Sequence, residues 1–309
     1  MSSPEFVSSP APNMKRSSSS PRTLFSTIMT GVAFACAALA LIPLVAVLSY
    51  VLVNGISRLS PTVFVDLPSA PGLPGGGFGN ALIGTIATVA IAAAISIPFG
   101  VMASIFLSEF YRDTNLAEAI NFLTNVLSGV PSIVVGAFAY AVVVLSTGKF
   151  SAVAGGIALA VLMLPTIVRT ATEALEAVPR DYRQAAIGLG ATRIQTTLQI
   201  VLPAAIPSII TGVMLAVARA AGETAPVLFT ASFNRFWNSG ASLDPINLNP
   251  VTYLTQGIWE PTATMSRLVF DFATAPYKNQ QELAWVGSLV LVALVLVTSV
   301  ASRWIVRKR

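Results

Sequence analysis

The sequence contains no histidine, a single cysteine and few charged residues. Without histidine, no histidine-based metal site and no Ser-His or Cys-His catalytic pair can form. Cys36 has no partner for an intrachain disulfide, and its place inside an apolar run predicts a small buried side chain. No nucleophile and base occur together in a recognisable pattern, so an enzyme is the least favoured class of protein.

Charge is scarce across the whole chain. Charged residues make up 10% and hydrophobic residues 54% of the 309 residues, against about 25% charged residues in an ordinary soluble domain. A soluble protein needs charge on its surface, and a disordered chain is poorer in apolar residues. The mean hydropathy of +0.76 fits a membrane protein instead, because a lipid-facing surface needs no charge.

Six apolar stretches approach the roughly 20 residues that a helix needs to cross a bilayer core. They cover residues 24–53, 81–107, 122–146, 153–169, 201–222 and 284–306. The first stretch exceeds the apolar region of a cleaved signal, which is about 7–15 residues long. The sequence therefore predicts an all-α membrane protein with six transmembrane helices over residues 23–309. A flexible Ser/Pro-rich tail over residues 1–22 is predicted to precede them.

The lysines and arginines are distributed unevenly between the two sides of this arrangement. Of the 18 cationic residues, twelve fall on the side of the N-terminus, five on the other side, and one, Arg219, within a span. Because cytoplasmic loops are enriched in Lys and Arg, both termini are predicted to be cytoplasmic. The cationic residues flank apolar runs and form no basic stripe, so the net charge of +5 does not indicate a nucleic-acid partner.

Two connecting segments are long enough to do more than join spans. Residues 170–200 are polar but keep apolar residues at helical spacing, which predicts an amphipathic helix pair on the cytoplasmic side. Residues 231–283 are predicted to form a large loop on the extracytoplasmic side.

The cytoplasmic segment contains Gln184-Ala185-Ala186, followed by Gly190 and later by Pro203 in an I-x-L-P pattern. The small alanines allow another backbone to approach, and Gly190 permits a sharp turn. Pro203 is expected near the first turn of the next span. A short protruding helix of this kind can fit a cleft in a separate protein. The simpler alternative is a tight helix-turn-helix without a partner.

A second pattern places Arg219, Glu223 and Thr224 at the outer part of the fifth span. Arg219 and Glu223 are four residues apart, so they share one helical face and can pair. Charges within a span normally face the protein interior or an aqueous pathway. The planar donors of Arg219 match an oxyanion, and Glu223 would hold the guanidinium in place. The alternative is an ion pair that fastens this span to its neighbour.

The third pattern lies in the predicted third span, where Ser128 and Ser132 flank Pro131. The proline removes a backbone hydrogen bond, and the two hydroxyls add polar groups at membrane depth. The pattern predicts a kink that can line an anion pathway. An ordinary proline kink satisfied by the serines fits equally well.

Three segments together resemble the permeases of phosphate-specific ABC importers. They read GVPSIVVG, IVRTATEALEAVPRDYRQAAIGLGAT and ARAAGETAPVLFTA. The stretch GETAPVLFT is similar to the A-type permease of that family. The segment around Gln184 resembles the family's EAA loop, with glutamine in place of the family's glutamate. The resemblance implies a type I ABC-importer permease with a cytoplasmic EAA-like coupling helix.

The resemblance also implies how the site residues work. The coupling residues are expected to contact an ATPase and the pathway residues to influence phosphate passage. The coupling residues are Gln184, Ala185, Ala186 and Gly190. The pathway residues are Arg219, Glu223 and Thr224, with Ser128 and Ser132 as the candidates in the third span.

The implied assembly imports inorganic phosphate across the bacterial plasma membrane. Its other members are a C-type permease as heterodimer partner, two ATPase subunits inside and a phosphate-binding protein outside. This chain contains no P-loop, so ATP and Mg are expected on the partner ATPase, with no cofactor and no catalytic role here.

Three alternatives remain open from the residues alone. The first is a permease for another oxyanion, such as molybdate, sulfate or phosphonate, which would share the coupling loop. The second is a secondary transporter driven by an ion gradient, which needs no such loop. The third is a non-transporting scaffold, which Arg219 and Glu223 within a span argue against.

Overall fold

The computed structural model of the chain describes residues 21–112, 114–236 and 257–307. This part of the chain is helical and contains no β-strand. The helices are α1 (Pro21–Ile56), α2 (Gly79–Phe110), α3 (Asn115–Gly129), α4 (Ser132–Thr147), α5 (Ala152–Glu176), α6 (Arg180–Gly188), α7 (Arg193–Gly222), α8 (Ala225–Thr230), α9 (Met265–Ala273) and α10 (Lys278–Arg307). Two short 3-10 helices cover Pro61–Phe64 and Gly257–Trp259.

The chain divides into two units, Met1–Tyr50 and Val51–Arg309. In the first unit, the described residues belong to α1, and nearly all of their side chains are exposed. An uninterrupted apolar helix with exposed side chains suits a lipid environment. Cys36 is also exposed, so the prediction of a buried cysteine is wrong. The first 20 residues of the predicted tail lie outside the described residues.

Five helices are long and apolar enough to cross a membrane, namely α1, α2, α5, α7 and α10. The helices α3 and α4 pass the same test as a pair, although they are bent by 102° relative to each other. The all-α architecture predicted from the sequence is therefore confirmed. The third span predicted from the sequence consists of the two bent helices α3 and α4.

The second unit is centred on α2, α5 and α7. A Cβ atom on Gly156 of α5 would meet Ile91 of α2, and a Cβ atom on Gly100 of α2 would meet Ile167 of α5. Because the contacting residue numbers rise together along both helices, α2 and α5 run parallel. Gly212 of α7 lies against Thr170, and residues farther along α7 pack with earlier residues of α5, so these two helices are antiparallel. Small residues let the helices approach closely, as in other membrane bundles. The shared core contains Ala92, Leu159, Ala160, Met163, Ile167, Ala216 and Ala220.

These directions define two ends of the unit. The α6 end lies where α2 and α5 finish and where α6 follows. The α8 end lies where α5 begins, because the amide of Ser151 donates a hydrogen bond to the carbonyl of Thr230 at the end of α8. The broken pair α3/α4 starts at the α6 end, where Ala117 packs with Leu107 and Val168. It finishes at Thr147, just before α5 begins. The pair therefore passes from one end to the other as one broken span.

The break in this span is sharper than the kink predicted from the sequence. The predicted single helix over residues 122–146 is replaced by α3 and α4, separated at Val130 and Pro131. Val130 is extended, with φ −71° and ψ 128°. A residue before proline is disfavoured in the α conformation, and Pro131 has no N–H to continue the helix. Thr114 caps α3 well before the predicted start by accepting a hydrogen bond from the amide of Ala117.

The predicted cytoplasmic helix pair over residues 170–200 is also corrected. α5 continues to Glu176 and α7 begins already at Arg193, so only α6 is a separate helix. Residues 170–176 contain good helix formers and no breaker before Pro179. Pro203 consequently lies well inside α7 and not in its first turn. A wider π-helical turn over Thr197–Val201 immediately precedes Pro203, which lacks an N–H for the regular ladder.

The predicted extracytoplasmic loop over residues 231–283 contains structure of its own. Its end belongs to α10, and α9 lies before it. Residues 237–256 of this loop lie outside the described residues. The α9 helix packs through Met265, Leu268 and Phe272 into a core with Phe78 and Val286.

Gly136 of α4 provides a test of the close contact between α4 and α8. A Cβ atom at this position would lie 2.8 Å from the Cα atom of Pro226, and backbone cannot move aside. We expect Gly136→Ala to destabilise the fold by about 2 kcal/mol through overpacking. Thermal unfolding in detergent micelles measures the effect. The control is Gly129→Ala at the end of α3, where nothing lies within 4 Å and stability should not fall. Equal stability of the two variants would contradict this contact.

Candidate functional site

The separate helix α6 carries the residues predicted to contact an ATPase. Pro179 precedes its first residue, Arg180, and the helix finishes at Gly188. Gly190 has φ +88°, a left-handed conformation that glycine adopts without strain. Thr192 and Gln195 then form a capping box that starts α7. The turn predicted at Gly190 is therefore confirmed.

The surface of α6 is mostly open. Gln184, Ala185 and Gly190 are exposed, whereas Ala186 is buried. The side chain of Leu189 at the turn is 90% exposed. An apolar side chain this exposed, next to small residues, provides a surface on which another protein can pack.

Arg183 anchors α6 to the spans. Its guanidinium donates to both carboxylate oxygens of Glu109, over 2.7 Å and 3.2 Å. It also donates to the carbonyls of Leu175 and Val178 at the end of α5, over 2.8 Å and 2.6 Å. The Glu109 side chain is only 7% exposed. A buried carboxylate requires such a partner, so α2, α5 and α6 are held together at one point.

The sequence interpretation missed this ion pair. Glu109 is an acidic residue at the end of a long apolar stretch, which is a signal of a buried, paired charge. Its partner lies 74 positions away and directly precedes Gln184. Nothing in the local pattern connects the two residues.

At the α8 end, the predicted pair Arg219 and Glu223 forms. The Nε atom of Arg219 lies 3.3 Å from a carboxylate oxygen of Glu223, with the two side chains 68% and 19% exposed. The pair does not share one helical face as predicted, because α7 finishes at Gly222 and Glu223 is extended. Thr224 follows in the gap before α8. A guanidinium this exposed next to a span is expected at an aqueous route or a subunit contact and not in lipid.

The gap between α7 and α8 is held by α9, which the sequence analysis placed in a loop. The hydroxyl of Ser266 donates to the backbone carbonyl of Glu223 over 3.0 Å. Arg267 donates to the carbonyl of Leu228 in α8 over 3.1 Å and pairs with Asp271 at 2.8 Å. These contacts satisfy carbonyls that an interrupted helix leaves free.

The second interruption, between α3 and α4, lies close to the first. Gly136 contacts Pro226, and the break at Pro131 is only about 8 Å of helix away from Gly136. Ser132 opens α4 on this side of the break. Ser128 lies on α3 and donates to the carbonyl of Thr124 within its own helix.

The predicted residues thus form two groups at opposite ends. Ser132 lies on α4, the helix that contacts α8, and α8 directly follows Glu223 and Thr224 along the chain. The coupling residues gather on α6. Within the described ranges, no three His, Cys, Asp or Glu side chains gather as ligands for a metal ion.

The fold itself is similar to that of one chain in a solved ABC transporter. A chain of a bacterial alginate ABC transporter, in complex with a periplasmic protein bound to an alginate pentasaccharide, matches with a TM-score of 0.59 and 13% sequence identity. The match covers 93% of this chain and 96% of that chain. The interrupted spans and the exposed helix α6 lie in an all-α fold of the type I ABC-importer permease class.

Sequence comparisons narrow this class. Residues 96–309 match the family model described as binding-protein-dependent transport system inner membrane component. The phosphate transport system permease protein PstA of Yersinia pestis is 38% identical over 83% of this chain and 81% of its own length. The PstA protein of Haemophilus influenzae is 34% identical over 91% of this chain and 94% of its own length. The chain belongs to the family of binding-protein-dependent transport system inner membrane components, which are multi-pass membrane proteins.

The buried ion pair at the α6 end gives a test of the site. In Glu109→Gln, the guanidinium of Arg183 loses its charged partner in a buried setting. We expect the free energy of unfolding to fall by about 3 kcal/mol. The matched control is Glu173→Gln, whose partner Arg169 is exposed and should contribute less than about 1 kcal/mol. Unfolding in mixed micelles measures both variants, and equal small losses would mean that Glu109 is not a buried anchor.

Proposed function

We propose that this chain is the phosphate-translocating permease subunit of an ATP-driven importer. The observation that carries the proposal is Arg219, an exposed guanidinium held by Glu223 at the gap between α7 and α8. Guanidinium groups match the oxygens of an oxyanion in pairs. The relatives named as phosphate transport permeases support phosphate as that oxyanion.

The pathway in this proposal runs past the two interrupted helices. Arg219 attracts phosphate, while Glu223 neutralises part of its charge and keeps the anion from binding too tightly to leave. Ser132 and Thr224 offer hydroxyl groups beside the breaks, and Ser128 lies on the far side of the proline. Backbone that leaves the helical ladder at membrane depth is tolerated where it lines a cavity.

In this proposal, ATP hydrolysis acts on the chain at the α6 end. An ATPase subunit contacts α6 through Gln184, Ala185 and Gly190, with Ala186 packed beneath them. Gln184 can donate a hydrogen bond to the ATPase but cannot form an ion pair. Closure of the ATPases pushes α6, and Arg183 passes the displacement to α2 and α5. A bias of about 1–3 kcal/mol between two membrane states is typical of such coupling.

The assembly in this proposal contains a C-type permease as heterodimer partner, two ATPase subunits and an extracytoplasmic phosphate-binding protein. The periplasmic protein in the structurally similar alginate transporter supports a binding-protein partner. ATP and Mg are held by the ATPase, and this chain is not catalytic. Both termini and α6 lie in the cytoplasm, as the excess of cationic residues at that side indicates.

The Arg219–Glu223 pair is tested by a double-mutant cycle on phosphate uptake by cells. We expect Arg219→Ala to lower uptake at least about tenfold, since a charge-assisted hydrogen bond to the anion is lost. Glu223→Ala should also lower uptake, and the double variant should stay low. The matched control removes Arg169 and Glu173, an exposed pair with the same spacing.

Restored uptake in the double Arg219/Glu223 variant would instead assign the pair a fastening role. Competition with sulfate, molybdate or phosphonate in the wild type identifies the transported oxyanion. Uptake that persists without the ATPase would point to an ion-coupled carrier.

A cysteine at position 189 tests both the orientation and the ATPase contact. In a Cys36→Ser background, Leu189→Cys should react with an impermeant maleimide only from the cytoplasmic side. The bound ATPase should protect it at least about tenfold, because Leu189 is exposed in the isolated chain. The control is Leu73→Cys, which is exposed in the connection before α2. It should react from the outside with or without the ATPase. Labelling of Leu189→Cys from the outside refutes the proposed orientation.

A further inference from the structure

A cavity of about 320 Å³ lies at the α6 end, at the opposite end of α7 from Arg219 and Glu223. Its walls come from the end of α2, from α6 and from the first turns of α7. The arginines in the lining are Arg112, Arg180, Arg183 and Arg193, and Glu109 is the only carboxylate among the described lining residues. The volume suits a small ligand. The composition suits an anionic one.

Two of the four guanidinium groups are neutralised within the described chain. Arg183 pairs with Glu109 at 2.7 Å. Arg112 pairs with Glu176 at 3.4 Å, and their side chains are 47% and 39% exposed.

Among the described residues, the other two guanidinium groups have no carboxylate partner. Arg180 forms no ion pair or hydrogen bond with any described residue. Arg193 lies 5.9 Å from the centre of the Phe110 ring, a cation–π contact that leaves its charge in place. Two cations that face one small cavity repel each other, and an anion between them removes that repulsion.

Unpaired polar groups in the same walls provide a second, independent observation. The hydroxyls of Ser108 and Thr196 are buried, and neither has a hydrogen-bond partner. Their residues are 7% and 3% exposed. A buried hydroxyl without a partner is costly, and a water or an ion is one way in which such a group is satisfied. Gln184 adds a neutral amide to the lining. A glutamate there would bring a negative charge into the cavity.

We propose that this cavity binds the oxyanion of a phosphate group through Arg180 and Arg193, with Gln184 beside them. Free inorganic phosphate and the headgroup of an anionic phospholipid are the two sources of this chemistry. The site differs from the transport pathway, because about 39 Å of α7 separates Arg193 from Arg219.

The bound oxyanion ties α6 to the start of α7 and restricts the movement of α6. Since α6 is the proposed ATPase contact, occupancy of the cavity adjusts coupling from the cytoplasmic side. The site itself does not require that this chain transports phosphate.

The test uses the full chain, with any subunits that copurify, in nanodiscs of phosphatidylcholine. Inorganic phosphate is titrated against sodium chloride at equal ionic strength, and amide hydrogen exchange of residues 180–196 is followed. We expect protection that saturates with phosphate. Arg180→Gln and Arg193→Gln should each weaken apparent affinity about three- to tenfold. Gln184→Glu should weaken it as well, by repulsion of the anion.

The matched control is Arg169→Gln, which removes an exposed cation outside this cavity and should leave the titration unchanged. A second arm replaces part of the lipid by phosphatidylglycerol without added phosphate. Protection by this lipid alone, again lost in the Arg180/Arg193 double variant, supports the site with the headgroup as its ligand.

Absence of protection by both phosphate and phosphatidylglycerol overturns the proposal. Protection that persists in the double variant overturns it too. Phosphate binding that survives in the double variant but disappears in Arg219→Ala rejects this cavity while it supports the transport pathway. The two proposals therefore fail separately.

Discussion

Four hydrogen bonds from Arg183 hold three helices at one point, and the arrangement of the α6 end depends on them. Two go to the buried carboxylate of Glu109 in the π-helical turn that finishes α2. The other two satisfy the carbonyls of Leu175 and Val178, where α5 runs out of internal donors. Because breaking a buried ion pair is costly, we expect α6 to move together with α2 and α5. This rigid connection suits a helix that transmits force.

The opposite end is governed by a different constraint. A helix that stops within a membrane exposes polar backbone groups, and lipid cannot satisfy them. Here Ser266 and Arg267 of α9 donate to carbonyls on both sides of the α7/α8 gap. Gly136 lets α4 approach α8 closely enough to bring a second break nearby. The interruptions are therefore supported by neighbouring protein, and the Arg219 side chain beside them stays exposed.

Several features could be predicted from the sequence because their causes are local. The apolar stretches give the number of crossings, since one span needs one run of suitable length. Gly190 marks a turn because few other residues adopt its positive φ angle. Arg219 and Glu223 pair because they are four residues apart. Even here, local reasoning fails in detail, as α7 ends one residue before Glu223.

Other features have no local cause that a pattern can reveal. The prediction of a kink at Pro131 did not give the 102° bend, because the angle depends on what α3 and α4 pack against. The helix α9 was hidden in a loop, since it is short and its core partner Phe78 lies far away in sequence. The continuation of α5 to Glu176 was missed because its polar exposed face was interpreted as a separate amphipathic helix.

By itself, the sequence determined the environment of the protein, the approximate positions of its spans and the motifs at both ends. These follow from composition and from periodicity within one helix, which tertiary contacts do not alter. Only the tertiary structure decided which distant groups meet: Glu109 with Arg183, Gly136 with Pro226, and Ser266 with Glu223. Such pairs depend on helix packing, and packing joins residues through their shape and charge rather than their order along the chain.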